Sequence, residues 1–137
     1  MSSEEQTIYE LVGGDETFQA LVDEFYKRVE VDENLRAIFP EDLEPGKHWQ
    51  FLFLRQFFGG PSDYMVERGH PRLRMRHAPF SVDESAGKAW LSHMLASIDV
   101  IGIKEPSRSA MRSYFERAAS HMINTYLPNE DTDGEAQ

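Results

Sequence analysis

Apolar side chains recur along most of the chain at the spacing of an α-helix. After residue 15 they follow one another at intervals of four, three and four residues, which places them on one helix face. These positions are Phe18, Val22, Phe25 and Val29. Asp15 is predicted to cap this helix, and Gly13-Gly14 to end a short helix over residues 7–11. Because no stretch alternates convincingly with a period of two, no sheet is expected.

The same spacing, together with residues that stop helices, predicts four further helices. They cover residues 32–39, 47–58, 81–101 and 105–126, and Pro40, Gly59-Gly60-Pro61, Gly102 and Pro128 end them. Asp83 or Ser81 is the expected cap of the third. The inner faces are predicted to carry Phe53, Leu54, Phe57 and Phe58, then Ala86, Ala89, Trp90, Met94 and Ile98, and finally Met111, Tyr114, Phe115, Ala118, Met122 and Tyr126.

Composition limits what such a helical protein can do. The 137 residues suit one domain, predicted over residues 1–128, with residues 129–137 as a disordered acidic tail. The net charge of −10 argues against binding to nucleic acids or anionic membranes. The absence of cysteine excludes disulfides, thiolate catalysis, iron–sulfur clusters and cysteine-linked haem. No signal peptide or membrane span is recognised, so a cytoplasmic location is expected.

One segment departs from a plain helical bundle. Four arginines lie between residues 68 and 76 with no acid among them, which in an acidic protein indicates a small anionic ligand. Pro71 and Pro79 limit the helix between them to one or two turns, with His77 at its end. There Nδ1–H can reach a free backbone carbonyl, which aims Nε2 outward as a ligand. A plain helix-end histidine is the alternative.

Three hydrogen-bond donors are predicted to point inward from three different helices. Tyr26 lies beside the first apolar stripe, Gln50 heads the inner face of its helix, and Trp90 is central on its own. Each alone could be satisfied by backbone or water, but together they indicate a polar spot in an apolar cavity, as a small polar ligand requires. A zinc site at His70 and His77 is disfavoured by their spacing, and His48, His93 and His121 are expected elsewhere.

The run Gly69-His-Pro-Arg-Leu-Arg-Met-Arg-His-Ala-Pro-Phe80, with Trp90 thirteen residues after His77, closely resembles the group II truncated haemoglobins. Gly13-Gly14, Phe25-Tyr26, Phe39-Pro40 and Gly59-Gly60-Pro61 strengthen the likeness, which spans residues 7 to about 127. The resemblance implies a two-over-two helical sandwich around haem b, with a very short proximal helix.

The resemblance also implies a role for individual residues. His77 becomes the proximal iron ligand, and Tyr26, Gln50 and Trp90 the distal donors to a small ligand. Gly46 matches the site where other globins carry a distal histidine. The remaining haem contacts implied are Phe39, Phe53, Leu54, Phe57 and Phe80, with Tyr64 and Arg76 reaching the propionates.

The expected function is reversible binding of dioxygen, carbon monoxide or nitric oxide, with high oxygen affinity from the distal donors. An alternative is a haem redox enzyme, a nitric oxide dioxygenase or a weak peroxidase, which would need peroxide or a separate reductase as partner. The third hypothesis is a helical interaction module without a cofactor. The oligomeric state stays open, a homodimer included.

Overall fold

The computed structural model describes residues 6–62 and 82–123, and every regular element in these two ranges is an α-helix. The helices are α1 (Ile8–Val12), α2 (Asp15–Glu30), α3 (Glu33–Arg36), α4 (Glu44–Phe57), α5 (Glu84–Ile101) and α6 (Ser107–Met122). The predicted acidic tail and the arginine-rich segment lie outside the described residues. None of the described helices is long and apolar enough to cross a lipid bilayer.

Side-chain caps explain where several helices begin. The Thr7 hydroxyl accepts a hydrogen bond from Glu10 N, and the Glu10 carboxylate accepts one from Thr7 N, which forms a capping box at α1. Asp32 caps α3, and Asp83 caps α5 as one of the two predicted candidates. Gly102, with φ of 78°, ends α5 in the left-handed region that favours glycine.

The starts of α2 and α4 differ from the prediction for identifiable reasons. Asp15 is the first residue of α2 and not its cap, since Gly14 holds the cap position and the Asp15 side chain is engaged elsewhere. α4 begins at Glu44, three residues before the predicted start, because Pro45 fits the first turn of a helix, where its missing N–H costs nothing.

The four long helices form two layers. α2 packs against α4 in one layer and against α5 across the interface, and α5 packs against α6 in the other layer. The short α1 touches α2 and α6, while α3 bridges α2 and α5. The fully buried side chains between the layers include Phe18, Leu21, Val22, Phe25, Val29, Met94, Ile98, Met111 and Phe115. This arrangement confirms the predicted all-α, two-over-two sandwich.

A polar cluster ties the start of α2 to α4. Arg55, a residue that is 9 % exposed, donates from Nη1 to Asp15 Oδ2 at 2.9 Å, and the Tyr9 hydroxyl donates to Asp15 Oδ1 at 2.6 Å. The hydrogen bond to Tyr9 and the Arg55 charge hold the pKa of Asp15 below its usual value. Asp15 therefore joins α1, α2 and α4, which orients α4 over α2.

Candidate functional site

Tyr26 lies at the centre of the predicted distal pocket. It is carried by α2 one residue after the buried Phe25, and only 7 % of it is exposed. The rings of Phe25 and Phe39 contact it edge-on, with centroids 5.4 and 5.9 Å away. Burial raises the pKa of Tyr26 to about 12, so the hydroxyl keeps its proton at neutral pH and can serve as a hydrogen-bond donor.

α4 brings a glycine against that hydroxyl. A Cβ on Gly46 would lie 2.8 Å from the Tyr26 hydroxyl oxygen, closer than nonbonded carbon and oxygen normally approach. The absence of a side chain at position 46 therefore creates the space in which the hydroxyl sits. The match of Gly46 to the distal-histidine site of other globins stays a prediction.

Gln50 follows Gly46 by one helical turn and so lies on the same side of α4. Its carboxamide oxygen Oε1 is buried and has no hydrogen-bond partner within residues 6–62 and 82–123. A buried acceptor left unpaired costs about 1–3 kcal/mol, so the position calls for a polar partner that the described residues do not supply. A half-turn of the carboxamide exchanges oxygen for NH₂ at little steric cost, so the group can also present a donor.

Trp90 reaches the same region from α5 and is half-buried. Its ring packs edge-on against Phe25, with centroids 5.7 Å apart, and against Phe115 at 6.0 Å. Phe25 thus contacts both Tyr26 and Trp90 and spaces them apart. In the sequence, the signal for this spacing role is that Phe25 directly precedes Tyr26. The apolar stripe of α2 predicts only that Phe25 is a core residue.

The apolar wall of α4 is partly as predicted. Phe53 and Leu54 are buried, and Phe39 packs against the core from the loop after α3. Phe57 was expected on the inner side, and this is wrong, since 51 % of it is exposed. It is the last residue of α4 and stacks on Tyr114 of α6 at 4.3 Å, while Phe58 takes the buried place.

The predicted proximal side lies outside the described residues. This applies to Tyr64, His70, Arg76, His77 and Phe80 and to the other arginines of the cluster. Within residues 6–62 and 82–123, no group of three or more His, Cys, Asp or Glu side chains could hold a metal ion. His93 donates from Nε2 to Asp32 Oδ2 at 2.8 Å and so links α5 to α3.

The described residues fit the distal half of a haem pocket. Apolar and aromatic side chains from α2, α4 and α5 surround a buried hydroxyl and an unpaired carboxamide oxygen, polar groups suited to a small polar ligand. The Tyr26 hydroxyl lies against Gly46, Gln50 follows Gly46 by one helical turn, and Phe25 contacts both Tyr26 and Trp90. The candidate iron ligand, His77, would come from the segment between residues 63 and 81.

Known proteins share both the sequence and this architecture. The bacterial-like globin family model matches residues 7–124. The group 2 truncated hemoglobin YjbI of Bacillus subtilis is 41% identical over 116 residues, covering 85% of this chain and 87% of that protein. Hemoglobin from Chloroflexus aurantiacus superposes with a TM-score of 0.87 at 57% identity, over 88% of this chain and 100% of the other.

A third solved structure is the truncated oxygen-avid haemoglobin from Bacillus subtilis. It superposes with a TM-score of 0.82 at 40% identity, over 87% of this chain and 100% of the other. The matched stretch contains α1 to α6 and the residues around Tyr26, Gln50 and Trp90. The chain therefore belongs to the bacterial-like globins and is a group II truncated haemoglobin.

Proposed function

We propose that this globin binds haem b and through it reversibly holds dioxygen, carbon monoxide or nitric oxide, with high affinity for dioxygen. Membership of the globin family implies a haem and haem-based binding of small ligands. The finer proposal is carried by two features of the pocket, a buried Gln50 oxygen without a partner among the described residues and a Tyr26 hydroxyl that lies against Gly46. The Gln50 oxygen calls for a polar partner, and the Tyr26 hydroxyl keeps a proton that it can donate.

The proximal side of the proposal rests on the residues between 63 and 81. His77 would hold the iron, and Tyr64 and Arg76 would pair with the propionates, for which a guanidinium is well suited. Phe39, Phe53, Leu54 and Phe80 would cover the porphyrin, with Phe57 at its edge. The haem supplies the reversible binding of the diatomic ligand, and the protein supplies a dry, apolar surrounding and fixed donors.

Tyr26, Gln50 and Trp90 would retain the ligand by donating hydrogen bonds to it. The raised pKa of Tyr26 keeps its donor proton in place across the physiological range. At about 1–1.5 kcal/mol for each of two donors, the bound state gains roughly 2–3 kcal/mol, which slows release about thirty- to hundredfold. A protein that releases dioxygen this slowly suits sequestration, sensing or redox chemistry better than shuttling. The similarity to a haemoglobin described as oxygen-avid supports this direction.

Oxygen dissociation rates of distal variants test the proposal. Tyr26→Phe removes one donor with little change of volume, and Trp90→Phe removes another together with part of the indole ring. Each variant is expected to release dioxygen about five- to tenfold faster. Tyr114→Phe is the matched control, since Tyr114 is also a largely buried tyrosine whose pKa burial raises to about 12, but it packs on Phe57 and Phe115 in α4 and α6. Rates in all three variants equal to wild type would remove the distal hydrogen-bond network.

A further inference from the structure

The outer face of α5 forms an open groove that the ligand pocket does not use. Its volume is about 470 Å³, and its floor is a stripe of six α5 residues, Lys88, Leu91, Ser92, Leu95, Ala96 and Asp99. Arg112 of α6 forms one rim. At helical spacing this stripe lies opposite Met94 and Ile98, which face the core. Leu91 and Leu95 are only partly covered, so apolar surface meets solvent here.

The stripe is symmetric about its own midpoint. Lys88 and Asp99 are equally far from the point between residues 93 and 94, and so are Leu91 and Ala96, and Ser92 and Leu95. If two copies of α5 cross antiparallel at this point, each member of a pair faces the other member on the second helix. A two-fold axis requires such a self-complementary patch. We propose that this face binds a second copy of the same chain and forms a symmetric dimer.

The charges at the ends of the stripe agree with this register. Lys88 pairs with Glu84 at 3.5 Å, and Asp99 accepts hydrogen bonds from Arg108 and lies 3.8 Å from Arg112. In the antiparallel crossing, the Glu84–Lys88 pair of one copy meets Asp99 and its arginines on the other. With Arg108, Arg112 and the Glu105 partner of Arg108 counted, these groups sum to zero, whereas the whole chain carries −10. The outer face of α5 is therefore a place where two acidic copies can approach without local charge repulsion.

The size of the patch sets the expected strength. The stripe from residue 88 to residue 99 is about 17 Å long, at 1.5 Å per residue. Stable dimers usually cover about 800 Å² on each partner, and a single helix face supplies less. The dimer is accordingly weak, and its population rises with protein concentration. Exposed ion pairs contribute little net energy, so their role is to select the register.

Sedimentation of the full chain over a range of concentrations tests the register. Lys88→Glu places an acid opposite Asp99 and is expected to shift the mass towards the monomer, as is Asp99→Lys. The double variant Lys88→Glu/Asp99→Lys restores opposite charges across the axis and is expected to restore the dimer. Lys27→Glu is the matched control, since the Lys27 and Lys88 side chains are both 75% exposed and both are i,i+3 or i,i+4 partners of a glutamate. A wild-type chain that stays monomeric, or a double variant that stays dissociated, would overturn the proposal.

Cross-linking provides a second readout that does not depend on charge reversal. The chain has no cysteine, so Ser92→Cys introduces a single thiol close to the proposed axis. An added thiol oxidant should convert it to a covalent dimer much faster than Ser113→Cys, an exposed position on α6 away from the stripe. Equal rates of covalent dimer formation in the two variants would contradict the α5 interface. This test remains valid if one of the charge variants fails to fold.

Discussion

The Tyr26 hydroxyl oxygen lies 2.8 Å from the point that a Cβ on Gly46 would occupy. The hydroxyl is thus held by the bare backbone of α4, and Phe25 and Phe39 hold the ring from two sides. Since Tyr26 is almost fully buried, its ring has little room to move. The position of this donor therefore depends on the glycine at position 46.

Gly46→Ala is therefore expected to act as a distal-pocket variant. The added methyl forces the Tyr26 hydroxyl away from its place, and oxygen dissociation should accelerate about as much as in Tyr26→Phe, roughly five- to tenfold. In the double variant Gly46→Ala/Tyr26→Phe the effects should not add, because both changes remove the same donor. Stopped-flow dissociation rates check this, and additive effects would show that Gly46 acts by another route.

Alkaline pH should destabilise the protein through Tyr26. Its pKa is about 12 in the fold and about 10 in the unfolded chain, so the stabilising contribution of the neutral phenol is complete below pH 10 and is lost as the pH rises towards 12. At pH 11.5 the loss amounts to about 2 kcal/mol. The difference in unfolding free energy between wild type and Tyr26→Phe, measured from pH 9 to 11.5, should shift by this amount in favour of the variant. A difference independent of pH would mean that Tyr26 is not buried in solution.

The contact between His93 and Asp32 should contribute to stability in a pH-dependent way. The hydrogen bond from His93, followed by that from Leu35 N, keeps the pKa of Asp32 below its usual value. Its contribution is present above the unfolded pKa of about 3.9 and is lost as the pH falls through the lowered value. The Asp32→Asn variant keeps a side-chain oxygen that can cap α3. Its effect on the free energy of unfolding therefore reports the loss of the carboxylate charge alone.

For this pair a double-mutant cycle of Asp32→Asn and His93→Gln is expected to give a coupling energy of about 0.5–1 kcal/mol at pH 7. The coupling should be smaller at pH 2.5, because the Asp32 carboxyl takes up a proton as the pH falls through its lowered pKa. Urea unfolding of the four proteins at both pH values measures it. A coupling that is the same at both pH values would show that the contact does not depend on the ionised Asp32 carboxylate.

Loss of the Asp15 charge should destabilise the protein more than loss of an equally exposed carboxylate. Asp15 accepts from the buried guanidinium of Arg55, and weakening a partner of a buried charge costs about 1–3 kcal/mol. Asp15→Asn is expected to lower the unfolding free energy by about 1 kcal/mol. Asp23→Asn is the control, since the Asp23 side chain is 54% exposed and pairs with Lys47. Similar losses in both variants would show that Arg55 does not depend on Asp15.

Local patterns in the sequence predict the helices and the side of α2 that is buried, because periodicity and capping residues act over a few positions. They misplace Asp15, which looks like a helix cap, because its partner Arg55 lies forty residues away. They misplace Phe57 for the same reason, since Tyr114 of α6 takes its ring out of the core. Pro45 marks the start of α4, because proline fits the first turn of a helix, and the apolar spacing alone does not show this start.

In the candidate site, too, local patterns predict some features, whereas others depend on how the helices pack. Tyr26, Gln50 and Trp90 can be placed on inner faces from their spacing alone. That Gly46 makes room for the Tyr26 hydroxyl, and that Phe25 separates Tyr26 from Trp90, depends on how α2, α4 and α5 cross. The proximal side is only implied by the likeness of the Gly69–Phe80 run to a known family, and the residues alone leave a plain helix-end histidine as an alternative.

Hemin titration followed by visible absorption tests the central claim, that His77 of this chain holds a haem iron. Wild type is expected to take up one hemin per chain and to show an intense Soret band that shifts on reduction and on addition of carbon monoxide. His77→Gly should lose this band, while His121→Gly, at an exposed position on α6, should keep it. A wild-type protein that remains colourless with hemin, or a His77→Gly variant with the wild-type spectrum, would contradict the account.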